Sequence, residues 1–265
     1  MKRSSFSCLA AGLLLLFGMM ACRSEYDQIL ESGDEDVKYA AAFNYFNAGK
    51  YSRSSQLFES LSLLTNGTER HDTVLYYLGL SNYSYQDYYT AETNFDQYLT
   101  NYPQGAFAEQ AGFLRIDCLY RATLRYELDQ TPTYTAITAM GEYLMEHPVG
   151  ANADILRHRM EELGERLDRK AFENARLYYK MEDYKASRVA FKNILKEDAD
   201  NVYREEILYY SAMSSYKYAE NSVPAKRKER FLIFQDDYLN FIGEYPESEH
   251  RKELDGLYGK VKEKY

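Results

Sequence analysis

The chain has 265 residues, a formal net charge of -9, three cysteines, no tryptophan and 28 tyrosines. This acidic balance argues against nucleic-acid binding, because phosphate backbones are bound by concentrated basic surfaces. A chain of this length can bury a core large enough to fold without disulfide bonds.

The amino terminus has the pattern of an exported protein. Lys2 and Arg3 precede a largely apolar run, residues 9–20. This run is too short to cross a hydrocarbon core of about 30 Å, and a small residue follows it, as in a cleaved leader. The pattern therefore predicts a signal peptide over residues 1–21.

Ala21 and Cys22 end this segment in the manner of a lipobox, although Met19 stands where leucine is usual. In a lipobox the cysteine thiol receives diacylglycerol, the leader is cut before the cysteine, and the new amine receives an N-acyl lipid such as palmitate. Several acyl chains anchor a protein stably, whereas one chain anchors it only marginally. We therefore expect a membrane-anchored chain that begins at Cys22. The alternative is an ordinary signal peptide with a chance cysteine.

The rest of the chain contains repeats, of which the second is the clearest. Its characteristic residues are Leu78, Gly79, Tyr88, Ala91, Phe95, Tyr98 and Pro103. Gly79 and Ala91 let two helices approach closely, Phe95 fills the space toward the next hairpin, and Pro103 cannot continue a helix. These spacings match the 34-residue tetratricopeptide pattern.

Four more units follow the same scheme. The first contains Ala42, Ser54 and Phe58, the fourth contains Ala175 and Phe191, and looser units span 107–148 and 203–246. The helices predicted from this pattern are 34–48, 51–65, 70–86, 88–102, 107–127, 133–147, 152–181, 184–197, 203–220, 225–244 and 248–263. The sequence thus predicts an all-α fold, a right-handed α-α superhelix (solenoid) of about five tetratricopeptide-type hairpins plus a C-terminal capping helix.

This pattern also predicts the domain organisation. A lipidated tether, residues 22–33, follows the signal peptide and precedes a repeat domain, residues 34–265. We expect the long helix 152–181 to bridge the N-terminal repeats, 34–150, and the C-terminal repeats, 151–265.

No motif of the repeat domain indicates catalysis. Gly49 and Lys50 lack the other residues of a phosphate-binding loop, and Cys118 lies in an apolar helical stretch typical of a core residue. The histidines, none at a metal-ligand spacing, are His71, His147, His158 and His250. We therefore expect no enzymatic activity, no metal ion and no cofactor besides the covalent lipid at Cys22.

Two surfaces are candidates for binding proteins. The first is an aromatic face on the first helices of repeats one and two, formed by Tyr39, Phe43, Phe46, Tyr76, Leu80 and Tyr83. Such a face can form a groove for a peptide, or it can be buried against later helices. The second is a basic run at Lys226, Arg227, Lys228 and Arg230, which is either a docking patch for an acidic partner or a solvated helix face.

The lipobox, the five hairpins and four short stretches resemble the BamD family of outer-membrane lipoproteins in its Bacteroidota form. These stretches are 129–134, 170–175, 203–206 and 219–224. The resemblance implies a non-enzymatic scaffold on the periplasmic face of the outer membrane. It also implies docking to the central barrel-forming subunit through the C-terminal repeats, and reception of unfolded outer-membrane β-barrel proteins by the N-terminal ones. Asp72-Thr73-Val74 is similar to a short bacterial O-glycosylation motif at Thr73.

Two other functions are compatible with the same architecture. One is a periplasmic tetratricopeptide-repeat lipoprotein that coordinates another envelope or peptidoglycan complex. The other is a surface glycan-binding lipoprotein, which the short chain and the absence of tryptophan disfavour.

We predict that Cys22→Ser abolishes membrane anchoring, because an acidic surface without acyl chains has no affinity for a membrane. The variant should be recovered as a soluble or uncleaved protein. Mass spectrometry of the mature N-terminus of the unsubstituted protein tests the premise, and an unmodified terminus at another residue would contradict it.

Overall fold

The computed structural model describes residues 24–264, and every regular element in this range is a helix. The signal peptide and Cys22 lie outside the described residues. The helices are α1 Glu25–Glu31, α2 Glu35–Asn47, α3 Tyr51–Leu64, α4 His71–Ser84, α5 Tyr88–Asn101, α6 Ala108–Arg121, α7 Thr131–Glu146, α8 Ala151–Lys180, α9 Tyr184–Glu197, α10 Arg204–Glu220, α11 Pro224–Glu244 and α12 Arg251–Lys264. The predicted all-α class is confirmed.

The chain forms two compact units, which meet in sequence at residues 122 and 123. Unit 1 contains α1–α6, and unit 2 contains α7–α12. We expected the division after residue 150, but α7 packs against α8. Arg166 and Lys170 of α8 also donate hydrogen bonds to the carbonyls of Leu124 and Leu128, which attach the preceding loop to unit 2.

In unit 1, each helix from α2 to α5 packs against the next one in the chain. Small residues make this packing close. The buried hydroxyl of Ser54 on α3 donates to the Ala42 carbonyl on α2 at 3.1 Å and lies 3.0 Å from the Ser81 hydroxyl on α4. Three successive helices therefore meet at one serine.

Unit 2 repeats this arrangement at the same sequence spacing. The Ser187 hydroxyl on α9 donates to the Ala175 carbonyl on α8 at 3.5 Å, and the Ser214 hydroxyl on α10 donates to Ser187 at 3.0 Å. Ser187 and Ser214 are fully buried. The first and fourth repeats recognised in the sequence are thus equivalent hairpins.

The turns of these hairpins are also equivalent. Gly49, Gln86 and Glu182 each have a positive φ, of 71°, 69° and 61°. After two of these three turns, an aspartate caps the N-terminus of the following helix. Asp87 and Asp183 each accept a hydrogen bond from a backbone N–H group of the first turn of that helix. Such caps satisfy donors that have no partner inside the helix.

Two segments differ from the sequence-based expectation. The described part of the tether, 22–33, includes helix α1, which is fastened to the first hairpin because the buried Tyr26 hydroxyl donates to Gln56 Oε1 at 2.7 Å. The helix predicted at 107–127 ends at Arg121 instead. The Gln130 side-chain amide donates to the carbonyls of Arg125 and Leu128, which stabilises a loop at the end of that range.

Two helices approach each other closely at Gly79. A Cβ placed there would lie 2.8 Å from Cδ1 of Phe95, a ring with no exposed surface. Among the described residues, no helix has both the length and the apolar character needed to cross a membrane.

We predict that Gly79→Ala lowers the free energy of unfolding by about 1–3 kcal/mol, because the buried Phe95 ring has no room to move away from an added methyl group. The matched control is Gly141→Ala in α7, where an added Cβ meets nothing within 4 Å. This control should stabilise the protein by about 0.5–1 kcal/mol through helix propensity. Urea unfolding measures both, and equal shifts in the same direction would contradict the close-packing argument.

Candidate functional site

The aromatic face of unit 1 is organised around Phe43. Its ring centroid lies 5.1 Å from that of Phe58 and 4.7 Å from that of Tyr77, both in edge-to-face geometry. Tyr39 lies 5.0 Å away on the same helix. Such geometry is favourable for aromatic rings and adds to the stabilisation from burial. Phe43 is therefore held between the first two repeats, with part of its surface exposed.

Phe46 extends this cluster toward the hairpin turn. Its ring centroid lies 5.4 Å from Tyr51 and 5.3 Å from Tyr77. Tyr77 of the next repeat contacts both Phe43 and Phe46, and it is not among the residues predicted from the sequence. The adjacent tyrosines Tyr76 and Tyr77 could have indicated this contact, but only Tyr77 points toward the cluster.

Tyr76 was assigned to the face, and that assignment is wrong. Tyr76 is 2% exposed and stacks on Phe107 with ring centroids 4.3 Å apart and ring planes 7° apart. Burial raises the pKa of its hydroxyl to about 12. This ring belongs to the core between the second and third repeats and has no surface for a peptide.

Leu80 and Tyr83 are partly exposed and lie against the core of the second and third repeats. The Tyr83 hydroxyl donates to Asp117 Oδ2 at 2.6 Å, and Arg121 Nε donates to the same oxygen at 2.5 Å. Burial, aided by this carboxylate, raises the pKa of Tyr83 to about 12. The hydroxyl therefore remains protonated and fixes the orientation of the ring.

The structure thus brings five of the six predicted residues to a partly exposed, internally packed surface. We call this surface the aromatic face, and it comprises Tyr39, Phe43, Phe46, Leu80 and Tyr83, together with Tyr77. The two alternatives from the sequence, an open groove and a self-buried cluster, each describe part of it. Each of these side chains is partly buried, so part of its surface packs inside unit 1 and part is exposed.

Unit 2 has a related cluster at the corresponding positions of its first hairpin. The ring centroid of Tyr179 lies 5.4 Å from Tyr184 and 5.2 Å from Tyr210. These distances match those of Phe46 to Tyr51 and Tyr77. Arg176 stands at the position of Phe43, so the second cluster has a charged side chain where the first has a ring.

The basic run near residue 226 is only partly a free surface. Arg227 Nε donates to the Ser222 carbonyl at 2.9 Å. Arg230 donates to the Ser222 hydroxyl, and its guanidinium lies 4.0 Å from the centroid of Tyr218. These two arginines hold the turn between α10 and α11, so their assignment to a docking patch needs correction. Lys226 pairs with Glu229, and Lys228 is exposed.

A charged cluster in unit 2 was missed entirely. Asp237 is 5% exposed. Its carboxylate accepts hydrogen bonds from Arg188 at 2.5 and 3.1 Å and from the Ser215 hydroxyl. It also forms an ion pair with Lys192 at 2.9 Å. Burial alone would raise the pKa of Asp237, but these donors outweigh burial and place it below its usual value. The aspartate therefore stays ionised and links α9, α10 and α11. Its partners are 22 to 49 residues away in the chain, so no local sequence pattern predicts this cluster.

The remaining candidates show no catalytic arrangement. Burial raises the pKa of the Cys118 thiol to about 12, which makes it a poor nucleophile at neutral pH. His71 is buried beside the Thr65 hydroxyl, and His250 stacks on Tyr209. Within residues 24–264, no group of three or more His, Cys, Asp or Glu side chains is placed to hold a metal ion.

Comparisons with known proteins add a family relationship. The family model YfiO, described as outer membrane lipoprotein, matches residues 32–231. A structure of the yeast Sti1 TPR2AB domain in complex with pHSP90 has 14% identity and a TM-score of 0.41, covering 86% of this chain and 98% of that one. A TPR repeats protein from Bacteroides fragilis has 15% identity and a TM-score of 0.41, covering 88% of this chain and all of that one. No curated protein matches the chain.

We predict that Tyr76→Ala and Phe46→Ala differ sharply in stability. The first substitution leaves a cavity in the core and should lower the free energy of unfolding by about 3–5 kcal/mol. The second removes a partly exposed ring and should cost less than about 2 kcal/mol. Chemical denaturation of the two variants measures the difference, and equal losses would place both rings in the same environment.

Proposed function

Because the chain belongs to the YfiO family of outer membrane lipoproteins, we propose that it is a non-enzymatic scaffold of the machinery that assembles and inserts outer-membrane β-barrel proteins. It is anchored through lipid at Cys22 to the periplasmic face of the outer membrane. There it docks the central barrel-forming subunit and receives unfolded barrel proteins. The family match over residues 32–231 is the observation that carries this proposal.

The aromatic face supports the reception of unfolded segments. A strand of an outer-membrane barrel carries apolar side chains at alternate positions, and an unfolded strand exposes them to water. Partly exposed rings can contact such side chains. Since Phe43, Phe46 and Tyr83 are already fixed by neighbouring residues, binding orders few side chains and loses little conformational entropy.

The basic run supports docking in a narrower form than the sequence suggested. Lys226 and Lys228 are exposed near the start of α11, whereas Arg227 and Arg230 bind the preceding turn. We assign the contact with the barrel-forming subunit to these two lysines. Exposed charges of this kind act over about a Debye length and mainly affect association rate and salt dependence.

Affinity purification from detergent-solubilised membranes tests the proposal. The unsubstituted chain should recover the large barrel-forming subunit. Lys226→Glu together with Lys228→Glu should reduce this recovery, most strongly at low salt, where charges are least screened. Lys180→Glu together with Lys185→Glu makes the same charge change elsewhere in unit 2 and serves as the control.

A second readout of the same purification tests the aromatic face. Phe46→Ala together with Leu80→Ala should reduce crosslinking to unfolded barrel segments and leave recovery of the barrel-forming subunit unchanged, because the substitutions lie in the other unit. Failure of the unsubstituted chain to recover the barrel-forming subunit would refute the proposed function. Recovery of a peptidoglycan-synthesis complex instead would assign the scaffold to different machinery.

A further inference from the structure

A cavity of about 350 Å³ lies in unit 2 among residues of α9, α10 and α11. Its polar wall includes Lys192, Lys196 and Arg204, with the carboxylate of Asp237 beside them. Leu195 and Leu208 provide an apolar part of the lining. Small-ligand sites commonly combine a few polar groups with apolar walls in a cavity of about 300–1,000 Å³.

The charges around this cavity are not balanced. Arg204 is occupied, because its guanidinium donates to both oxygens of Glu244 at 2.7 and 2.9 Å. Asp237 is bound by two cations, Arg188 and Lys192, so it neutralises only one of them. Lys196, exposed on the same helix, adds a further positive charge. Glu244 and Asp200 offset Arg204, so an anion in the cavity would compensate the positive charge that remains at Lys192 and Lys196.

Ser211 is a separate indication of a ligand. It lines the cavity and is 3% exposed, yet its hydroxyl oxygen has no hydrogen-bond partner among the described residues. A buried hydroxyl without a partner destabilises a fold, and such groups are rare in native proteins. The other buried serines of this region, Ser214 and Ser215, both donate to side chains of neighbouring helices. The Ser211 hydroxyl is therefore a hydrogen-bond donor without an acceptor at this cavity.

We propose that this cavity binds a carboxylate group attached to a short aliphatic chain. The Ser211 hydroxyl donates to one carboxylate oxygen, the Lys196 and Lys192 ammonium groups supply the opposite charge, and Leu195 and Leu208 contact the aliphatic part. The carboxylate belongs either to a glutamate side chain of a partner segment or to a free small carboxylate. This site goes beyond the proposed scaffold function, since its binding is measured on the protein alone.

The experiment uses the full chain in detergent and fluorescence anisotropy. The probes are a labelled, blocked heptapeptide with one central glutamate and its glutamine counterpart, with free glutarate as a competitor. The glutamate peptide should bind saturably, and the glutamine peptide should bind at least about tenfold more weakly, because it lacks the charge. Displacement by glutarate at similar concentration indicates a free carboxylate as the ligand. Displacement only by peptide indicates a partner segment.

Two variants connect the binding to this cavity. Ser211→Ala should weaken binding of the glutamate peptide about tenfold, since it removes a hydrogen bond to a charged group. Lys196→Gln should weaken it about threefold, an effect that high salt removes. Lys185→Gln removes the same charge from an exposed position earlier on the same helix and should leave binding unchanged.

The thermal midpoint of unfolding without ligand provides an independent check. Ser211→Ala should preserve or raise it, because the substitution removes a buried hydroxyl that has no partner. A lower midpoint would mean that the hydroxyl is used inside the fold, which overturns the proposal. Equal binding of both peptides, or binding that neither Ser211→Ala nor Lys196→Gln affects, would also overturn it. These results are independent of whether a barrel-forming subunit is recovered from membranes.

Discussion

The close approach of successive helices at small residues is the constraint on which each unit depends. A single hairpin cannot bury both of its apolar sides, so it is stable only when the next helix covers one of them. At Ser54 and Ser187 three helices meet through a buried hydroxyl, and at Gly79 a glycine leaves room for the Phe95 ring. A bulkier residue at these points would separate the helices and expose the apolar surface between them.

This stacking also determines the character of the aromatic face. The rings of the first helices meet across neighbouring hairpins, as Phe46 meets Tyr77 in unit 1 and Tyr179 meets Tyr210 in unit 2. Each ring therefore contributes to stability and to surface at the same time. At position 176, which is equivalent to Phe43, unit 2 carries an arginine. There Phe172 packs against Tyr210 and stacks on Tyr203.

Arginine side chains bind the buried carboxylates of this acidic chain. Buried carboxylates at Asp117 and Asp237 are held by Arg121 and Arg188, whose planar guanidinium groups make short, directed hydrogen bonds. Arg188 and Asp237 connect α9 and α11, whereas Arg121 and Asp117 both lie on α6. Loss of either arginine would weaken the compensation of a buried charge. Lysines such as Lys196 and Lys228 stay at the surface, where their charge is available to a ligand or partner.

Much of the fold could be read from local patterns. The repeat residues around Gly79 and Phe95, the hairpin turn at Gly49 and most helix bounds follow from spacing, turn preference and helix propensity. These properties depend on near neighbours, whereas the end of the helix at Arg121 was not predicted. The predicted leader and the predicted lipidation at Cys22 also rest on local patterns, as does the family resemblance.

Tertiary structure alone decided which of Tyr76 and Tyr77 is buried, because neighbours on a helix differ by about 100° and the covering residue, Phe107, lies in the next repeat. It also decided that Arg230 holds a turn, and that Ser211 and Asp237 border one cavity. These outcomes depend on contacts between helices that are far apart in the chain, and spacing within one helix carries no information about them.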